Sequence, residues 1–331
     1  MQKVTLIPGD GIGPEITQVV KDIFEYMKVP IQWEEVEAGE HVIKDYGTPL
    51  PEYVIASIKR NKIALKGPIT TPVAKGFRSV NVTLREQLNL FANLRPIKSL
   101  KAINSKFENV DLIIVRENTE DLYKGIEYKI EDIATSIRII TRKASEKIGW
   151  FTFNYAKKNN RKKVTAVHKA NILKLGDGLF LDAIRNISKE FSDIEYEEKI
   201  VDNMSMQLVM NPEKYDVIVA PNLFGDILSD LAAGLIGGLG LAPGANIGDD
   251  VAVFEAVHGS APDIANQGIA NPIAILRSSI MLLDYLNLSD YAKQLESAIE
   301  KSLFDKNVLT PDLNGNGNTL TLKNKIISFL S

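Results

Sequence analysis

Apolar positions along this chain fall into short continuous runs that alternate with longer stretches of three-and-four spacing. That alternation predicts strands followed by helices. Residues 4–7 predict a strand, and 14 to about 27 a helix with Pro14 in its first turn, where a missing N–H does no harm. Residues 31–36 alternate like a strand, 52–60 predict a short amphipathic helix, and 62–66 a strand that stops at Gly67-Pro68. A buried strand is expected over 111–115 and a helix from 144 to about 158, capped by Ser145. Strands over 163–167 and 215–220 are each followed by a helix, and an apolar helix runs from about 272 to 286. The pattern is that of an α/β protein.

One segment breaks the alternation. Residues 126–130 and 135–140 are both β-rich and flank Glu131-Asp132, which predicts a hairpin arm. The arm is either a plain surface hairpin or a strand pair that meets a second subunit. Asn314-Gly315-Asn316-Gly317-Asn318 is turn-rich and reads as a mobile loop.

Composition narrows the chemistry. A chain of 331 residues suggests two domains at about 150 residues each. The net charge is −3, so no overall field is available to hold a nucleic acid backbone. Cys is absent, which excludes disulfides, thiolate metal sites and cysteine nucleophiles. Only three His are present, too few for a multi-His metal centre. No run approaches the length of a membrane span, and no leader pattern precedes the first strand, so a cytoplasmic location is expected.

Several motifs carry candidate chemistry. Gly9-Asp10-Gly11-Ile12-Gly13-Pro14-Glu15 follows a strand and opens a helix, but Pro14 stands where a dinucleotide fingerprint needs Gly or Ala. A tight strand-to-helix turn is the competing reading. Arg85, Arg95 and Arg116 lie on three separate segments, and Arg116 ends a buried strand. Singly each suits a surface salt bridge; together with Ser79 and Asn81 they suit a small polyanion gripped by forked hydrogen bonds. Asp226 and Asp230 share one face of a helix in its first turns. Asp226 can serve as a cap there, but two such carboxylates together point to a hard cation, Mg²⁺ or Mn²⁺. Lys169 at a strand end is a candidate proton acceptor, and Tyr123 follows Arg116 by seven residues.

Taken in order, these stretches resemble the β-decarboxylating dehydrogenases, the isocitrate/isopropylmalate dehydrogenase family, along essentially the whole chain. The matching stretches are 9–15, 81–96, 116–128, 168–173, 221–230, 255–264 and 268–273. The resemblance implies a two-domain α/β fold that is not a Rossmann fold. Residues 1–94 and 240–331 would form a large domain, and 95–239 a small one, with the active site between them. It implies a homodimer with the hairpin arm at the interface, and Lys169 and Asp202 reaching into the partner's site.

By the same resemblance, Ser79, Asn81, Arg85, Arg95 and Arg116 would bind the substrate. Asp202, Asp226 and Asp230 would hold Mg²⁺ or Mn²⁺, and Tyr123 and Lys169 would move protons. Glu255, His258, Gly259, Ser260, Ala261, Asp263, Ile264 and Asn271 would bind the cofactor. Asp263-Ile264 replaces the Lys-Tyr typical of NADP-using members, which implies NAD. The hydroxyl and amide of Ser79 and Asn81 suit the extra carboxylate of isocitrate. Homoisocitrate is the nearest rival, since one methylene is worth only about 1–3 kcal/mol in a pocket. Isopropylmalate and D-malate are further alternatives. A subunit of a heteromeric isocitrate dehydrogenase is the alternative of another class.

Overall fold

The computed structural model describes residues 1–70 and 78–330. Its centre is one ten-stranded sheet. In chain order the strands of the structure are β1 (Gln2–Ile7), β2 (Ile31–Glu35), β3 (Ile63–Lys66), β4 (Ala92–Lys98), β5 (Asp111–Glu117), β6 (Glu127–Ile130), β7 (Ile133–Ser136), β8 (Lys163–His168), β9 (Glu195–Ile200), β10 (Val217–Ala220), β11 (Pro243–Ile247) and β12 (Ala252–Ala256). The sheet order is β2-β1-β3-β12-β11-β4-β5-β10-β8-β9, while β6 and β7 form a separate two-stranded sheet.

The sheet is parallel at both ends and antiparallel in the middle. Strands β2, β1, β3 and β12 run together, and so do β5, β10, β8 and β9. Strands β11 and β4 reverse the direction between the two groups. The first group comes from the two ends of the chain and the second from its middle.

Alternate residues of the parallel strands face opposite layers. Leu6, Ile63, Leu65 and Phe254 enter the main core, whereas Ile7, Ala64 and Val253 enter a second one. Val54, Ile55 and Ile58 of the helix Glu52–Asn61 and Val80 and Leu84 of the helix Val80–Gln87 close that second layer. Both faces are covered, so these strands read as continuous apolar runs.

Three expectations need correction. The helix expected from 144 with a Ser145 cap begins at Arg142, and Thr141 is the cap, its Oγ1 accepting from the Ala144 N–H at 3.2 Å. Ser145 is buried inside the first turn and donates to the Thr141 carbonyl instead. The second strand of the arm is Ile133–Ser136 rather than 135–140, because Glu131-Asp132 makes the tightest turn and pairs Ile130 with Ile133. The turn at 314–318 is tied down: Gly315 and Gly317 donate to the Thr310 and Leu309 carbonyls at 3.2 and 2.8 Å. It is a packed turn, not a free loop. Among the described residues no helix is long and apolar enough to cross a membrane.

Candidate active site

Polar residues converge on one cavity of about 270 Å³ beside the antiparallel middle of the sheet. Arg116, 1% exposed, is the last residue but one of β5, and Arg95 comes from β4. Arg85 is buried on the helix Val80–Gln87. All three line the cavity, so the surface salt-bridge reading fails for each.

The helix Asn222–Leu235 supplies the opposing charge. Its N-cap is Pro221, with no side-chain cap, so Asp226 does not cap it. Asp226 binds Arg116 Nη1 and accepts the Tyr123 hydroxyl on its other oxygen. Asp230, one turn on, takes Arg95 Nη1 at 2.9 Å. Asn222 Oδ1 accepts from Arg116 Nε at 2.9 Å. Gly225 makes the close approach possible: a Cβ there would stand 2.7 Å from both Cβ and Cγ of Arg116.

The cavity is short of anions. Burial and the neighbouring Arg85 pull the Arg116 guanidinium down to about 10, still charged at neutral pH. Burial also lowers Arg85. Burial would raise Asp226, but Arg116, the Tyr123 hydroxyl, Arg95 and Arg85 outweigh it and hold the carboxyl below its ordinary value. Burial and Asp226 raise the Tyr123 phenol against the pull of Arg116, so it stays a proton donor. Arg116 Nη2, Arg85 Nε and Asn81 Oδ1 are buried with no hydrogen-bond partner among the described residues. Such groups are costly unless a ligand meets them. Ser79 lines the same wall while capping the helix Val80–Gln87.

On the far wall stand Glu255 and Lys66, at the ends of β12 and β3 and 2.5 Å apart. Burial would raise Glu255, but the Lys66 ammonium, Arg85 and the Asn246 amide hold it at about 2. His258 and Gly259 continue the wall, and burial lowers the imidazole, whose Nε2 has no hydrogen-bond partner among the described residues. Ala261 has a left-handed backbone, φ 40°, at the bend into the turn Pro262–Ile264, where Asp263 is exposed.

The glycine turn serves this loop by packing. A Cβ on Gly9 would strike the Pro68 carbonyl, and one on Gly11 the Ser260 carbonyl, which accepts from the Ile12 N–H at 2.9 Å. The tight-turn reading therefore accounts for these glycines. Asn271 has its amide engaged within the protein, donating to Asp312 at 2.9 Å and accepting from the Ile273 N–H at 2.9 Å.

Comparison with known proteins decides the family. Residues 3–326 match the family described as isocitrate/isopropylmalate dehydrogenase. The chain belongs to that family. It is 48% identical over 330 residues to the probable mitochondrial isocitrate dehydrogenase (NAD) subunit alpha of Drosophila melanogaster, covering 99% of this chain and 88% of that one. It is 49% identical over 303 residues to the chloroplastic 3-isopropylmalate dehydrogenase of Solanum tuberosum, covering 91% and 85%. Among solved structures it superposes on isocitrate dehydrogenase from Methylococcus capsulatus with a TM-score of 0.96 and 51% identity, covering 100% of this chain and 99% of that one. The mixed α/β sheet described above is the fold of that family.

Of the residues expected in an isocitrate/isopropylmalate dehydrogenase site, Ser260, Ala261, Asp263, Ile264 and Asn271 stand beyond the lining of this cavity, and so do Lys169 and Asp202. Lys169 Nζ and Asp202 Oδ2 pair with each other at 3.0 Å, and Asp202 is 68% exposed. Among the described residues no group of three acidic or histidine side chains gathers into a metal cage, so Asp202 does not join Asp226 and Asp230 within one chain.

The structure also adds cavity and framework residues that motif reading passed over: Lys66, Asn93 and Asn222. Lys66 ends a buried strand, and a lysine in that position is itself a usable signal. Asn93 carried none, because the Asn246 it donates to arrives from a strand distant in the chain.

Proposed function

We propose that the chain is an NAD-dependent, metal-assisted isocitrate dehydrogenase that oxidises the hydroxyl carbon of isocitrate and releases CO₂, leaving 2-oxoglutarate. The observation that carries this is the charge of the cavity. Three arginines against Asp226 and Asp230 leave one positive charge, with Lys66 and Glu255 cancelling each other. A substrate with three carboxylates and a divalent cation together carry one negative charge, so the loaded site is neutral.

Asp226 and Asp230 fit a hard cation by donor type, Mg²⁺ or Mn²⁺, with Asp202 of the partner subunit as the third ligand. When bound there, the cation would supply Lewis acidity for charge developing on the substrate; Glu255 and the loop carrying His258, Gly259 and Asp263 would hold NAD, which would supply the hydride acceptor. The chain's own groups do the rest. Arg85, Arg95 and Arg116 orient the carboxylates through forked donors. Tyr123, kept protonated, delivers a proton from its hydroxyl to the carbon that loses CO₂. Lys169 of the partner subunit accepts the substrate hydroxyl proton. Ser79 and Asn81 face the carboxylate that isopropylmalate lacks, which favours isocitrate.

A second copy of the chain suits the open face. The arm exposes Tyr128, Ile130 and Ile133, and Ile172, Leu175 and Met210 are exposed near Lys169 or on the helix that carries Asp202. A lone two-stranded hairpin is marginal in water, so a partner is needed to cover it. A different partner chain is the second reading, drawn from the subunit name of the Drosophila relative. The test is the purified chain alone with isocitrate, NAD and Mg²⁺: it should form 2-oxoglutarate, CO₂ and NADH in equal amounts and stop in excess chelator. Undiminished turnover in chelator overturns the metal role, and no turnover without another chain overturns the homodimer.

A further inference from the structure

Across the middle of the sheet, polar side chains form one unbroken line. Arg95 Nε donates to Asn93 Oδ1 at 2.8 Å, Asn93 Nδ2 to Asn246 Oδ1 at 2.9 Å, and Asn246 Nδ2 to Glu255 Oε1 at 2.6 Å. Asn118 Nδ2 is a second donor on Asn246 Oδ1, at 3.0 Å. Asn93 and Asn246 are 1% and 2% exposed, so neither amide can turn to water. These partners fix which end of each amide is which. Turned over, Asn246 would set its NH₂ against two NH₂ donors and its oxygen against a carboxylate. Every donor in the line therefore points from the Arg95 guanidinium toward the Glu255 carboxylate, and bonds aligned in one sense polarise one another.

We infer that Asn246 is a positioning residue, which aims Glu255 into the cavity and keeps it a hydrogen-bond acceptor there. The inference rests on the reading of this cavity as the substrate and cofactor site. Lys66 Nζ occupies Glu255 Oε2 and Asn246 occupies Oε1, so the lone pairs that remain are available to a hydroxyl of the cofactor. The charged groups facing Glu255 are Lys66 and Arg85, from β3 and from the helix Val80–Gln87. From the helix Ile273–Tyr285 the neutral Ser278 hydroxyl donates to the Glu255 backbone carbonyl at 2.9 Å. The cations favour ionisation; Asn246 supplies direction. It also makes Arg95, on the substrate side, and Glu255 the two ends of one rigid frame.

Asn246→Asp tests this. The substitution is nearly isosteric and keeps the acceptor for Asn93 and Asn118, but it sets a carboxylate oxygen against Glu255 Oε1, and the two must share a proton. NADH binding, read by its fluorescence, should then depend on pH. The variant should bind nearly as the parent does near about pH 6 and about tenfold more weakly near about pH 8.5, where the shared proton is lost, while the parent changes less than about threefold. Pairing Asn246→Asp with Glu255→Gln restores a donor facing an acceptor, and this paired variant should melt above the single variant at the higher pH. Equal loss of NADH affinity at both pH values, or a paired variant that melts no higher than the single one, overturns the positioning role. A parent chain that does not bind NADH overturns the cofactor reading instead, and the melting comparison still decides the role of Asn246.

Discussion

Gly225→Ala should disable the site while leaving the protein folded. The residue lies in the helix Asn222–Leu235, where Ala is normally better than Gly by about 0.8–1.0 kcal/mol. Here the new Cβ would stand 2.7 Å from Cβ and Cγ of Arg116 and 3.2 Å from its Cα. Carbon atoms rest about 3.5–4.0 Å apart, so helix and arginine must part by about 1 Å. Arg116 cannot yield freely, since Asn222 and Asp226 hold its guanidinium and it is 1% exposed. Overpacking of this kind costs about 1–3 kcal/mol, so the propensity gain leaves a net loss of roughly 0–2 kcal/mol and a melting shift of a few degrees.

The catalytic effect is larger, because a 1 Å misplacement of a positioning group costs about a hundredfold. Initial rates with isocitrate at saturating NAD and Mg²⁺ give kcat/KM, and thermal melting checks the fold. Gly234 in the same helix is the control: a Cβ there meets nothing within 4 Å, so Gly234→Ala should keep activity and gain up to about 1 kcal/mol. A folded Gly225→Ala protein with kcat/KM within about threefold of the parent would refute the claim that the helix is seated against Arg116 to place it.

Mixing inactive Lys169→Met chains with inactive Tyr123→Phe chains should restore part of the activity, because one site of the mixed dimer then draws both groups from intact copies; no recovery after proven subunit exchange would place both residues in one chain's site. Asp263→Lys with Ile264→Tyr should weaken NAD and improve NADP, by roughly tenfold to thirtyfold in the ratio of kcat/KM, since an exposed carboxylate repels the extra phosphate and salt screens part of that repulsion. An unchanged ratio would show that this pair does not read the ribose.

What the chain discloses in sequence is what lies close together in it. Arg116 was legible because it ends a run of four apolar residues, Leu112 to Val115, and Asp226 and Asp230 because helical spacing stacks them. The hairpin's existence was legible, but its register was not: alternation tolerates either strand position, and the two-residue turn at Glu131-Asp132 decides. The cap at 141 was hidden by Ser145, which carries the same hydroxyl one turn later. Asn93, Asn118 and Asn246 left no trace, because β11 reaches β4 from about 150 residues along the chain and only the register of the sheet brings the three amides together. The pairing of Lys169 with Asp202 on an open face, away from the cavity, was likewise beyond spacing arguments, though the family resemblance had set both residues apart from the rest of the site.

The most direct test of the account is a substrate panel on the purified chain: isocitrate, homoisocitrate, isopropylmalate and D-malate, each with NAD and with NADP, in the presence of Mg²⁺. Isocitrate with NAD should give the highest kcat/KM. Homoisocitrate should follow at least about tenfold lower, as one added methylene costs about 1–3 kcal/mol in a fitted pocket, and isopropylmalate should fall lower still because it sets an apolar branch against the polar Ser79 and Asn81. Turnover of isopropylmalate or D-malate that equals or exceeds that of isocitrate would contradict the central claim that the three arginines, with Ser79 and Asn81, are built for a third carboxylate.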